Sequence, residues 1–420
     1  LANLLASCTP ASSPSSTACV NWLDLASGTT DALGVLLQII TQPSLRNNGV
    51  GVFEVNAPKP IFSPALTSAP TDWSLALNVT DGGLNGPIAI AIDATGQVWV
   101  SDSLGAGALS VFGPDGKAIS SSQGLTGNGV SGPQGIAIDL SGQVWVANWA
   151  QGSGHTISVF NQDGSVAPGS PISSTDVAGV ASISGPMGLG LTASGNMWVA
   201  NDGNSTLSLF SPAKKLLIGP VSGAGLSFPV NVNVDHSGFV WSVNSSNASV
   251  SEFSSTGIPV KSNAYQNIGL SAPYGLAVTS SGNVWIASPY NNALIQLMGG
   301  STPPSSCLGP IGSSDTGCVS AVVKGNDTGL DQPVDMAIDG SGNLWVINMH
   351  GASLEEFSSG GQLLSPPSGY QALGMVEPKA VAVDSAGNVW VVNYASHSLT
   401  KFIGMASPVA TPKQGPPKPL

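Results

Sequence analysis

Residues 133–148 read Pro133-Gln-Gly-Ile-Ala-Ile-Asp-Leu-Ser-Gly-Gln-Val-Trp-Val-Ala-Asn148. Alternation through Ile136, Ala137, Ile138 and Asp139 has the period of two expected of a β-strand. Asp-x-Ser-Gly then supplies a tight hairpin: Asp139 can accept hydrogen bonds from the turn's own amides, and Gly142 can take the positive φ of a bulged turn. Val144–Ala147 is a second strand that buries Trp145, Thr156-Ile-Ser-Val-Phe160 a third, and a more variable segment a fourth.

The pattern recurs seven times. Its glycines are Gly96, Gly142, Gly195, Gly238, Gly282, Gly342 and Gly387, each followed three residues later by Trp99, Trp145, Trp198, Trp241, Trp285, Trp345 or Trp390. Successive tryptophans are 46, 53, 43, 44, 60 and 45 residues apart, too short for separate domains and right for four-stranded propeller blades. One blade cannot bury both its faces, so neighbours must stack and the ring must close. The sequence therefore predicts an all-β fold, a seven-bladed β-propeller of four-stranded blades over residues 73–405. The last repeat ends near Ser398–Phe402 with no good fourth strand after it, so the strand-like stretch Trp73–Thr80 is predicted to complete the seventh blade. The long intervals mark insertions, one at Ala167–Ser184 and one containing Cys307 and Cys318.

This motif, with Ile-Ser-Val-Phe after it, resembles the NHL repeat and its bacterial relatives around the streptogramin lyases. The resemblance spans nearly 80% of the chain, with Trp where NHL repeats commonly have Tyr. It implies the propeller but not one activity, because such propellers include lyases, lactonase-like enzymes, binding modules and scaffolds. For the lyases it implies a His with a Glu and a divalent metal.

Composition narrows the field. Charged residues are 8% of the chain against about 25% in ordinary proteins. The net charge of −12 comes with no basic cluster to neutralise phosphates, which excludes nucleic acid as a partner. The longest apolar stretch, Ala32–Ile40, is broken by Gly34 and Gln38 and falls short of the roughly 20 residues of a transmembrane helix. Two cysteine pairs, each 11 apart, predict the disulfides Cys8–Cys19 and Cys307–Cys318, since zinc knuckles would need closer spacing or nearby His. Disulfides imply an oxidising location, extracellular or at the cell surface.

Outside the propeller, residues 1–56 are expected to hold a disulfide loop and a helix capped by Thr29-Thr30-Asp31 and running to about Thr41. That helix is apolar on nearly every side and so needs burial against its own propeller or another subunit. Residues 57–72 read as a Pro-rich connector and 406–420 as a Pro-rich, polyproline-like tail suited to disorder or to attachment to a partner.

The funnel where inner strands begin is predicted to be lined by the residue after each repeat Pro: Ile88, Gln134, Met187, Val230, Tyr274, Val334 and Lys379, with Asp335 next to one of them. No His and no carboxylate stands in that ring. His155, His350 and His397 fall in loops on the funnel face and are the weak metal candidates; His236 is on the opposite face, and Glu355, Glu356 and Glu377 are poorly placed as acidic partners. The recurring Asp93, Asp139, Asp235, Asp339 and Asp384, replaced by Thr192 and Thr279, read as turn caps. Asn148, Asn201, Asn244, Asn348 and Asn393 read as turn residues. Sequons at Asn78, Asn204, Asn244, Asn247 and Asn326 offer glycosylation sites. Trp149, Tyr274, Tyr290 and Tyr394 are possible stacking platforms for a glycan or peptide.

The expected function is a secreted structural or interaction protein, self-assembling into a polymer or filament, with other copies of itself or a cell-surface partner as its contacts and no cofactor. A metal-dependent lyase or lactonase-like enzyme in the funnel, and a glycan- or peptide-binding module, are the alternatives.

Overall fold

A computed structural model describes residues 74–149, 155–299, 319–325 and 328–412. Seven antiparallel sheets follow one another around a central channel. Their inner strands are Pro87–Ile92, Pro133–Ile138, Pro186–Leu191, Pro229–Val234, Leu276–Val278, Pro333–Ile338 and Pro378–Val383. Each pairs with a second strand carrying the repeat Trp, and that strand pairs with a third, as in Val144–Asn148 with Thr156–Phe160. Outermost strands complete four of the blades, including Leu216–Val221 in blade 3 and Val319–Lys324 in blade 5. In blades 1, 4 and 6 the fourth position pairs only through isolated bridges, such as Phe253 with Pro259 and Val250 with Tyr265.

Ala76–Val79 pairs with Ser398–Phe402 as the outermost strand of blade 7, so the start of the ring closes its end. The Ala167–Ser184 excursion forms a small extra hairpin, Asp176–Val177 with Val180–Ala181. The expected helical extension, connector and disulfides, together with Trp73 and the end of the tail, fall outside the described residues.

The core is divided among seven interfaces. Opposite each Trp on the inner strand stands Ala91, Ala137, Gly190, Asn233, Ala277, Ala337 or Ala382, residues small enough to leave room for an indole. Each ring then packs on the strands of the next blade: Trp145 meets Leu191, Met197, Val199 and Phe210 of blade 3. Trp390 of blade 7 meets Ile92, Val98, Val100 and Phe112 of blade 1, so the ring closes with the same contact it uses everywhere else. All seven indoles are buried, and burying rings of this size supplies much of the stability of each interface.

Candidate functional site

The inner strands enclose a channel of about 340 Å³. At one end stand the hairpin turns between inner and second strands. The chain crosses this end after Met405: Ser407 N–H donates to Asp339 Oδ2 (3.1 Å), Ala406 N–H to the Gly387 carbonyl (2.9 Å), and Val409 to Pro412 line the channel. The first part of the Pro-rich tail thus lies on the turns of its own blades 6 and 7.

The other end is the open mouth. Ile88, Gln134, Met187, Val230, Tyr274 and Lys379 line the channel, and Val334 does not. Val334 is instead buried in the packed interface between blades 6 and 7, and Asp335 lines the channel as Ala89, Asn231 and Ala380 do at the same position of blades 1, 4 and 7. The mouth is consequently two-sided. Tyr274, Asp335 and Lys379 occupy three consecutive blades, and apolar side chains dominate the other side. Enclosure, with Asp335 and Asp202 nearby, pushes the Tyr274 phenol up to about 12, so it is a hydrogen-bond donor at neutral pH. Burial lowers the Lys379 ammonium against the weaker opposing effect of Glu377. Its Nζ rests 2.9 Å from Met349 Sδ and 5.5 Å from the centre of the Tyr394 ring. Trp149 donates its indole N–H to Asp202 (3.3 Å), whereas Tyr290 is well exposed on a short 3-10 turn.

The histidines do not meet. His155 Nδ1 accepts the Gly185 N–H (2.7 Å), and His397 Nδ1 accepts the Gly86 N–H (2.7 Å), so in both rings the neutral form carries its proton on Nε2. Both residues immediately precede a third strand, and both acceptances tie a blade to the loop entering the next. Ser205 Oγ accepts from Phe228 N–H (3.1 Å) and Asn292 Oδ1 from Gln332 N–H (2.9 Å) at the same position of blades 3 and 5. The two histidines are therefore members of a repeated inter-blade latch. His350 is exposed and pairs with Asp331 (2.7 Å). Among the described residues no three His, Cys, Asp or Glu side chains converge as a metal set.

The repeated Asp does more than cap a turn. Asp139 Oδ1 accepts from Ser141 N–H (2.9 Å) and Gln143 N–H (3.0 Å), while its Oδ2 accepts the Trp145 indole N–H (2.8 Å). The Asp–Trp bond recurs at Trp99, Trp241, Trp345 and Trp390. In the two blades with Thr192 and Thr279, the indoles of Trp198 and Trp285 are buried without a partner. A spacing of six between the Asp and the Trp carried this signal in the sequence.

The recurring Asn is an interstrand latch rather than a residue serving its own turn. Asn148 Oδ1 accepts from Ser131 N–H (3.2 Å), and its Nδ2 donates to Thr156 (3.1 Å) and Ser158 (2.9 Å), joining the second and third strands of the blade to the loop that enters its inner strand. Asn244 is fully buried in the same role, its amide committed to Ser249 and Ser251, which removes it as a glycosylation acceptor in the folded chain. Asn78 and Asn247 are exposed, Asn204 is half-buried, and Asn326 lies outside the described residues. In blade 1, Asp102 replaces the Asn, and burial pushes its carboxyl up to about 6 despite the bond from Ser110.

The outer circumference carries a different pattern. Leu77, Ile119, Val166, Leu217, Ile258, Val322 and Leu364 are all exposed, one or more on the outermost segment of every blade. Only two ion pairs occur among the described residues, Lys117 with Asp115 and His350 with Asp331.

No protein-family model matches the chain, and no curated protein sequence does. Solved structures share its architecture. It aligns with virginiamycin B lyase from Staphylococcus aureus at a TM-score of 0.57 and 15% identity, over 79% of this chain and 98% of that one. Hydrazine synthase from Kuenenia stuttgartiensis gives 0.57 and 14%, over 77% and 97%. The WD40 β-propeller domain of Doa1 gives 0.55 and 11%, over 78% and 96%. At such identities the likeness extends to the propeller fold and no further.

Proposed function

We propose that the protein is a structural or interaction propeller that works through its circumference and associates with other copies of itself outside the cytoplasm. The observation that carries this reading is the exposed aliphatic side chain on the outer segment of every blade, on a surface with few charges to oppose contact. Architecture accounts for the recurring polar residues: the Asp and Asn sets hold turns and strands, and His155 and His397 hold blade junctions. Extracellular placement rests on the cysteine spacing. Size-exclusion chromatography with light scattering, and negative-stain imaging of the full chain, should show assemblies of several copies. A strictly single-chain species at micromolar concentration would sink the reading.

The two-sided mouth favours a second reading, a binding site for a small amphipathic molecule. Its support is the Lys379 ammonium, which stands on the channel beside a thioether and an aromatic ring. Titration with an anionic naphthalene fluorophore should give saturable binding that is lost in Lys379→Met. Identical titrations of parent and variant would count against it.

A further inference from the structure

The three most exposed aromatic side chains among the described residues all lie at the mouth of the channel: Tyr290 is 76% exposed, Phe228 49% and Tyr274 36%. Phe228 enters the inner strand of blade 4, Tyr274 that of blade 5, and Tyr290 follows the second strand of blade 5, so the three share one sector. Their surroundings are acidic. The described loops around the mouth carry Asp202, Asp331 and Glu377 and no Lys or Arg, while the channel itself adds Asp335 and Lys379. Asp202 and Asp335 both act on the Tyr274 phenol, and Ser205, which ends the turn holding Asp202, accepts the Phe228 N–H (3.1 Å).

At the opposite end of the channel the chain continues into a segment of complementary character. Val409–Pro412 line the channel there, and Lys413-Gln-Gly-Pro-Pro-Lys-Pro-Leu420 follows directly. This stretch holds three prolines, two lysines and no acid. Proline-rich chain favours the extended polyproline helix, whose ring faces pack on aromatic side chains. At about 3.1 Å per residue the stretch spans about 25 Å, enough to leave its own ring and enter another.

We propose that residues 413–420 of one copy dock in the mouth of a second copy, their prolines on Phe228, Tyr274 and Tyr290 and their lysines facing Asp202 and Asp335. This rests on the reading that copies associate, and adds a contact along the channel axis to those around the circumference. Tail and mouth stand at opposite ends of one channel. The contact is therefore head-to-tail and cannot close on a pair, so copies stack in an open column.

The test is the binding of a fluorescein-labelled peptide of residues 411–420 to the chain ending at Pro412, which keeps the tail contacts on blades 6 and 7. Fluorescence anisotropy should show saturable binding, and Phe228→Ser with Tyr290→Ser, checked for a folded propeller by circular dichroism, should weaken it at least tenfold. Asp202→Lys should weaken it several-fold, and a peptide carrying Lys413→Glu and Lys418→Glu should recover binding to that variant. Full-length protein, diluted until it is a single chain, should bind the peptide as the shortened chain does. No saturable binding, or equal binding to the aromatic variant, overturns this inference. Failure of the diluted full-length protein alone to bind would mean that each tail covers its own mouth, and overturns the contact between copies. Light scattering of the shortened chain decides the circumferential reading separately: association there leaves that reading standing whatever the peptide does.

Discussion

Trp198 and Trp285 are the two repeat tryptophans with no acceptor for the indole N–H, and they are the two whose hairpin begins with Thr instead of Asp. A buried N–H without a partner costs about 1–3 kcal/mol, and a bond to a carboxylate recovers part of that. Thr192→Asp and Thr279→Asp should therefore each stabilise the fold by about 1 kcal/mol, read as a higher denaturant midpoint. Asp139→Thr should destabilise by a similar amount or more. No change in either direction would mean that the Asp–Trp bond contributes nothing net. Glu355 makes the opposite case. Where the third strands of blades 2, 3 and 4 carry Ser158, Ser208 and Ser251, blade 6 places this fully buried acid beside Asn348 without a well-formed hydrogen bond. Burial pushes its carboxyl from 4.5 up to about 8. The native state then holds a proton that the unfolded chain has released, so its contribution to stability is whole below pH 4.5 and is lost as pH rises towards 8. The slope is on the order of 1 kcal/mol per pH unit. Glu355→Gln should match the parent near pH 4.5 and exceed it at pH 8 in thermal midpoint; parallel profiles would refute the assignment.

At the scale of elements, the junction between blades 7 and 1 combines the Ala76–Val79 strand, the Trp390 contact and the His397 acceptance from Gly86. His397→Ala removes only the last and should cost about 1 kcal/mol, with faster amide exchange at Gly86. His155→Ala should do the same at Gly185, whereas His350→Ala, in an exposed pair, should leave stability unchanged within error. Equal effects of all three would contradict the latch. These latches were hidden in the sequence because His155 and Gly185 are 30 residues apart and His397 and Gly86 are 311 apart. The hairpins were open to reading because Asp139, Gly142 and Trp145 act within one local turn, with Gly142 at φ 83° as its position requires. Val334 was misplaced because its burial depends on how blade 6 packs against blade 7, which no residue in Pro333-Val-Asp announces.

At the scale of the molecule, the tail binds the turns of blades 6 and 7 through Asp339, Gly387 and Asp384 and buries Val409. Removing residues 406–420 should lower the unfolding midpoint and speed amide exchange at Gly340, whose N–H donates to Ser407 (3.1 Å). An unchanged exchange rate there would show that the tail does not hold this face. The sequence alone determined the number of blades, the strand that closes the ring and the residues that fill each interface. It could do so because every repeat carries its own turn, its own alternation and its own indole, and each interface is a copy of the last. Tertiary structure decided the rest. Whether the residue after each repeat Pro lines the channel, what each histidine accepts and which aliphatic side chains remain on the rim all depend on distances between blades. Those distances exist only once the ring has formed.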